Sequence, residues 1–98
     1  MSSEEICRVR RNDGMWNFVS TEEGRLLSKE WFAAANDFIE GLALVEREDG
    51  KCNYLKSDGS LLSKEWYKDA EAFRNGYAPV KREDGKWYKI DKDGKIIE

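Results

Sequence analysis

Residues 26–51 and 61–86 carry one pattern twice. LLSKEWFAAANDFIEGLALVEREDGK and LLSKEWYKDAEAFRNGYAPVKREDGK align without a gap at an offset of 35, with 16 of 26 positions identical. A supersecondary unit that recurs at such a period cannot bury its apolar face alone, so neighbouring copies must stack to build a shared core. The pattern runs on at both ends. Asp13–Val19 matches Asp49–Leu55 and Asp84–Ile90, and Cys7 and Val9 stand where later copies have Ala43/Ala78 and Val45/Val80. Residues 91–97 match 56–62. The chain therefore holds three copies of a hairpin centred on Asp-Gly, at 6–20, 42–56 and 77–91, and two connectors, at 26–41 and 61–76. We read residues 1–98 as one repeat domain.

Asp-Gly between strand-like runs signals a hairpin, because glycine accepts the positive φ that the turn requires. Ala43–Arg47 precedes the second Asp-Gly and Cys52–Lys56 follows it. A second turn at Ser57–Ser60 leads to a short third strand at Leu61-Leu62. One unit is then a three-stranded antiparallel meander. Alternation puts Cys7/Val9, Ala43/Val45 and Ala78/Val80 on one face of the first strand. On the second strand Trp16/Phe18, Cys52/Tyr54 and Trp87/Lys89 share a face, with Val19, Leu55 and Ile90 opposite. Apolar groups on both faces predict a strand covered from both sides. In the connectors, Trp31/Ala35/Phe38 and Trp66/Ala70/Phe73 recur at i, i+4, i+7. This is helix spacing, with Ser28 or Ser63 as cap and Gly41 or Gly76 as stop. The expected fold is mainly β, with an α+β variant open: a short tandem array of meanders joined by short helical or irregular connectors.

The string DGKWYKIDKDGKII at Asp84–Ile97, preceded by Phe73-x-x-Gly76-x-Ala78-x-Val80, resembles the WG (KWG) repeat of bacterial proteins. The likeness covers nearly the whole chain, from about Cys7 to Ile97. It implies a β-repeat fold and an interaction role, and it leaves the partner open.

The composition narrows the chemistry. The chain has no histidine, which removes Ser-His and Cys-His nucleophile systems. Asp13, Asp49, Asp58, Asp84 and Asp93 all directly precede glycine, so turn formation accounts for them. Cys7 and Cys52 read as inert thiols at inward positions. No cofactor or metal site is predicted: there is no phosphate-binding or dinucleotide fingerprint, and the calcium-like start at Asp91 lacks its closing glutamate. The net charge of −3, from 17 basic and 20 acidic side chains, provides no basic face for nucleic acid. No segment has the length and apolarity of a signal peptide or a membrane span, so the expected location is the cytoplasm.

Differences between copies mark side chains the fold does not need. Tyr67 stands for Phe32, Tyr77 for Leu42 and Tyr88 for Asn53, and Lys86, Trp87 and Lys89 cluster with them on the last hairpin. These six are the candidate partner-binding residues, since surface Tyr and Trp make favourable interface anchors. The expected function is a non-enzymatic protein-interaction module. The alternative is a small stand-alone inhibitor, encoded by a phage or mobile element, that blocks a host nucleic-acid enzyme. The expected partner is another protein, and the open ends of the array provide a route to a homodimer.

Overall fold

The structure, a computed structural model, describes residues 6–21 and 24–97. It is all-β, with no helix among the described residues. Eight strands run in chain order: β1 Ile6–Arg10, β2 Trp16–Ser20, β3 Ala34–Ile39, β4 Leu42–Glu46, β5 Cys52–Lys56, β6 Asp69–Ala70, β7 Tyr77–Lys81 and β8 Trp87–Asp91. They form three antiparallel sheets, β1-β2, β3-β4-β5 and β6-β7-β8, one for each unit of the repeat.

Each Asp-Gly hairpin closes in the same way. In the second, Gly50 N–H donates to the Arg47 carbonyl, Arg47 N–H donates to the Lys51 carbonyl, and Gly50 sits at φ +86°. This is a tight turn followed by a left-handed glycine. The carboxylate of Asp49 accepts from Lys51 N–H at 3.0 Å and secures the loop. The third strand is a broken line beyond β5. Leu55 pairs with Leu61, Leu62 N–H donates to the Tyr54 carbonyl, and Cys52 and Tyr67 exchange both backbone bonds. Buried Asn53 fills the break, donating to the carbonyl of Ser63 and accepting from Tyr54 N–H. Asn17 does the same one unit earlier against Ser28.

The predicted connector helix is not formed. Residues 34–39 are strand β3, paired with β4 through a register shift between Ala35 and Phe38. That bulge explains the misleading spacing: an extra residue lets Ala35 and Phe38, three positions apart, both turn inward, which an unbroken strand forbids. Gly41 and Gly76, expected as helix stops, instead close the two-residue turns Glu40-Gly41 and Asn75-Gly76, with φ positive at both positions. Trp31 and Trp66 occupy matching settings, each beneath an arginine of its own unit, Arg11 at 4.6 Å and Arg47 at 4.2 Å from the ring centre.

Two cores lie between the sheets. Between the first and second units, Phe18 and Phe32 meet Ala35, Ala43, Val45 and Leu55. Between the second and third, Leu42, Cys52, Tyr54 and Tyr67 meet Ala70, Phe73, Ala78, Val80 and Ile90. The same lattice positions thus serve twice. β5 is buried at Cys52, Asn53, Tyr54 and Leu55 because units cover it on both faces. Each fully buried Phe, Leu or Val contributes about 1.5–3 kcal/mol, and stacking completes that burial: Val9 and Val19, without a neighbour, are half-buried where Val45 and Leu55 are fully buried. Cys7 corrects an expectation. It holds the lattice position of buried Ala43 and Ala78, yet it is exposed, because among the described residues no unit stacks on that side of β1.

Candidate partner-binding face

The third unit presents an uncovered sheet face at the other end of the stack. Tyr77 and Pro79 on β7, and Trp87 and Lys89 on β8, take the positions that Leu42, Leu44, Cys52 and Tyr54 fill in the second unit. There those positions are packed against the next sheet. Here Tyr77 is 44% and Trp87 47% exposed. With Arg74, Asn75 and Tyr88 they line an open groove of about 610 Å³. Pro79 lies between the aromatic side chains of the lining, and Arg74 and Lys89 bring positive charge to it.

Two of the three rings have charged partners. Lys89 Nζ lies 5.4 Å from the Tyr77 ring centre. The Tyr88 ring sits 5.3 Å from the Arg82 guanidinium, and its hydroxyl donates to Asp84 at 2.5 Å. That hydrogen bond pulls the Asp84 carboxyl below the ordinary range and pushes the Tyr88 hydroxyl up. In the first two units the equivalent arginine covers a tryptophan. In the third, Tyr88 supplies the ring, and Arg82 also pairs with Glu65 of the preceding unit at 3.0 Å. Anchors fixed before binding lose less rotamer freedom when a partner arrives.

Of the six candidates, the structure brings Tyr77, Trp87, Tyr88 and Lys89 together in this groove. Lys86 is exposed at the neighbouring turn, outside the lining. Tyr67 is not a surface residue at all: it is 1% exposed, in the second core, with its hydroxyl 3.0 Å from Ser63 Oγ. It follows Phe32 in being core, so the exchange of Phe for Tyr bought a hydrogen bond instead of a contact for a partner. Arg74, Asn75 and Pro79 line the groove and were missed. The signal was available, since Arg74 replaces Ile39 and Pro79 replaces Leu44, the same kind of difference that pointed to Tyr77.

Four turn aspartates and Cys52 have structural settings. Asp13, Asp49, Asp58 and Asp84 each accept the backbone N–H two residues on, which closes a turn. Burial, with Glu46 nearby, pushes the Cys52 thiol up to about 11, far from a nucleophilic thiolate. Among the described residues no three His, Cys, Asp or Glu side chains cluster as a metal site, and no helix is long and apolar enough to cross a membrane.

Fold and face together define a class: an open stack of antiparallel sheet repeats with an aromatic groove on its terminal sheet. The sequence model of the WG containing repeat family matches residues 67–87, so the chain carries a WG-type repeat, and the same structural unit recurs upstream of it. A comparison with curated proteins finds no match. Among solved structures, the crystal structure of the computationally designed Ika8 protein, in its packing No.1 in P63, is similar over 95% of this chain, with a TM-score of 0.53 and 14% identity. This chain covers 32% of the designed one, and at that identity the likeness concerns the fold alone.

Proposed function

We propose that the chain is a non-enzymatic protein-interaction module and that its partner seats in the Tyr77–Trp87 groove. The observation that carries this reading is the exposure of two large aromatic side chains at lattice positions that are buried one unit earlier. Exposed Trp and Tyr around a concave apolar floor, with a cationic rim, are the usual make-up of a binding hot spot. The aspartates that precede Gly14, Gly50, Gly59 and Gly85 are taken up by their turns, whereas Tyr77 and Trp87 differ from the Leu42 and Cys52 that the stacked second unit buries.

The test is capture from the native host with the 98-residue chain as bait. A protein retained in stoichiometric amount by the wild type, and lost with Trp87→Ala or Tyr77→Ala, is the expected result. Amide exchange should then slow at residues 74–89 on binding. Equal capture by the wild type and both variants would overturn the groove as the site. A chain that retains nothing under mild conditions, a further copy of itself included, would overturn the module.

A further inference from the structure

The two end faces of the stack carry lattice positions that pack against each other at both internal junctions, although the two-stranded first sheet has no counterpart of the Ala35 and Phe38 that β3 brings to the first junction. One end presents Cys7, Val9, Val19 and Leu26, with Cys7 exposed, Val9 and Val19 half-buried, and Leu26 49% exposed. Their counterparts in the second unit are Ala43, Val45, Leu55 and Leu61, which pack against the first unit. The other end presents Tyr77, Trp87 and Ile97 at the positions of Ile6, Trp16 and Leu27, the side chains on the first unit's half of that same internal interface. Several groups are not merely similar. Trp87 repeats Trp16, Val9 repeats Val45 and Leu26 repeats Leu61.

From this register we propose that the occupant of the groove is a second copy of this chain, stacked head to tail, with Cys7, Val9, Val19 and Leu26 of one copy on Tyr77, Trp87 and Ile97 of the other. The inference rests on the reading of the groove as an interaction site and names what fills it. Such a contact is heterologous: each copy uses two different surfaces, so stacking continues until a ring closes or a filament grows. It is also weaker than the internal junctions. Those carry edge-to-face ring pairs, Phe18–Phe38 at 5.0 Å and Tyr54–Phe73 at 4.8 Å. At the outer face the ring position is Lys89, whose stem covers apolar surface while its ammonium reaches water. Association is therefore reversible and depends on concentration.

Light scattering across a concentration series, combined with face-blocking variants, tests this. The wild type should rise to twice the monomer mass or more. Leu26→Glu blocks one face and Trp87→Glu the other; both residues are exposed, so the fold tolerates the change. Each variant alone should stay monomeric, while an equal mixture should form dimers and stop there, since each copy then keeps one usable face. Wild type that stays monomeric to millimolar concentration overturns the proposal. So does a Leu26→Glu variant that still dimerises, which would put groove against groove. If a variant unfolds, the wild type still decides: labelling of the exposed Cys7 thiol should slow several-fold as concentration rises, and an unchanged rate overturns stacking. A monomeric chain that captures a host protein through Trp87 sinks the second copy and leaves the interaction module standing. A chain that captures nothing and does not associate sinks both.

Discussion

The carboxylate of Glu40 accepts the backbone N–H groups of Asn75 and Gly76, at 2.7 and 2.9 Å, and Asn75 is the counterpart of Glu40 one unit later in the stack. One turn thus caps the next copy of itself. Both residues sit at positive φ, +55° and +56°, in two-residue turns. Lys92 Nζ approaches the same carboxylate at 3.4 Å. The repeat is therefore held in register by polar bonds along one rim as well as by the apolar lattice between sheets.

Glu40 gives the stack a pH dependence of known sign. The two backbone donors, with Lys92, hold its carboxyl below the usual glutamate range. A carboxyl depressed on folding adds stability above its unfolded pKa, about 4.3, and loses that stability as pH falls through the lower folded value. Glu40→Gln should lower the urea midpoint at pH 7 and should lose less than the wild type between pH 6 and pH 3. The other depressed carboxylates contribute to both proteins alike, so the difference between the two curves isolates Glu40. Parallel curves would assign the acid response to the turn aspartates instead.

At Gly59 two units approach each other closely through backbone. It lies at φ +90°, and a Cβ there would fall 2.2 Å from the Leu27 carbonyl oxygen of the preceding unit. Gly94 repeats the contact with Leu62, at 2.8 Å. Gly85 has a similar φ, +79°, with open space around it. Gly85→Ala should then cost only the left-handed strain, about 1–2 kcal/mol. Gly59→Ala should cost that and about 1–3 kcal/mol more for the displaced neighbour. Guanidinium unfolding of the two variants side by side measures the gap, and equal losses would refute the close approach.

These contacts mark the boundary of what the sequence makes legible. Strand pairing, the faces of β4 and β5, and the burial of β5 from both sides follow from alternation and the Asp-Gly turns. The connector does not, because a bulged strand and a helix can place Ala35 and Phe38 on one side with the same spacing. Asn75-Gly76 carried the correcting signal: Asn-Gly between apolar runs favours a two-residue hairpin turn over a helix stop. For the candidate site, comparison of copies pointed to Tyr77 and Tyr88, and clustering on the last hairpin to Trp87 and Lys89; the four line one groove. Comparison of copies also singled out Tyr67, which is buried, since a change between copies does not distinguish a new surface contact from a new buried hydrogen bond. The misplaced burial of Cys7 has a different origin: a repeat fixes the lattice position, and only the stack decides whether a neighbour covers it.

Asn53 is the polar side chain the broken strand depends on. It is fully buried, donates to the Ser63 carbonyl at 2.8 Å, and accepts from Tyr54 N–H at 2.7 Å and Ser63 N–H at 3.3 Å. Asn53→Ala leaves these backbone groups without partners in the core, at about 1–3 kcal/mol for each one left unsatisfied. Asn17→Ala should repeat the loss one unit earlier. Urea unfolding gives the size, and amide exchange gives the place: Ser63 and Tyr54 should exchange faster in Asn53→Ala while Phe18 is unchanged.

Cys7 and Cys52 should report one end and the middle of the stack separately. Cys7 is exposed on the uncovered face of β1. Cys52 is 6% exposed between the second and third units, with its thiol pushed up to about 11 by burial and by the nearby carboxylates of Glu46, Asp69 and Asp49. The thiolate is the reacting species, so at pH 8 a dilute sample should consume one equivalent of a thiol reagent rapidly, at Cys7. The second equivalent should appear only as the units part, because neither access nor ionisation is available to Cys52 while they are packed. Its rate should rise with urea in step with unfolding and should be absent in Cys52→Ala. Two fast equivalents in native buffer would mean that the second core is open to solvent, and the stacking of Tyr54 and Cys52 on Ala78 and Val80 would have to be abandoned.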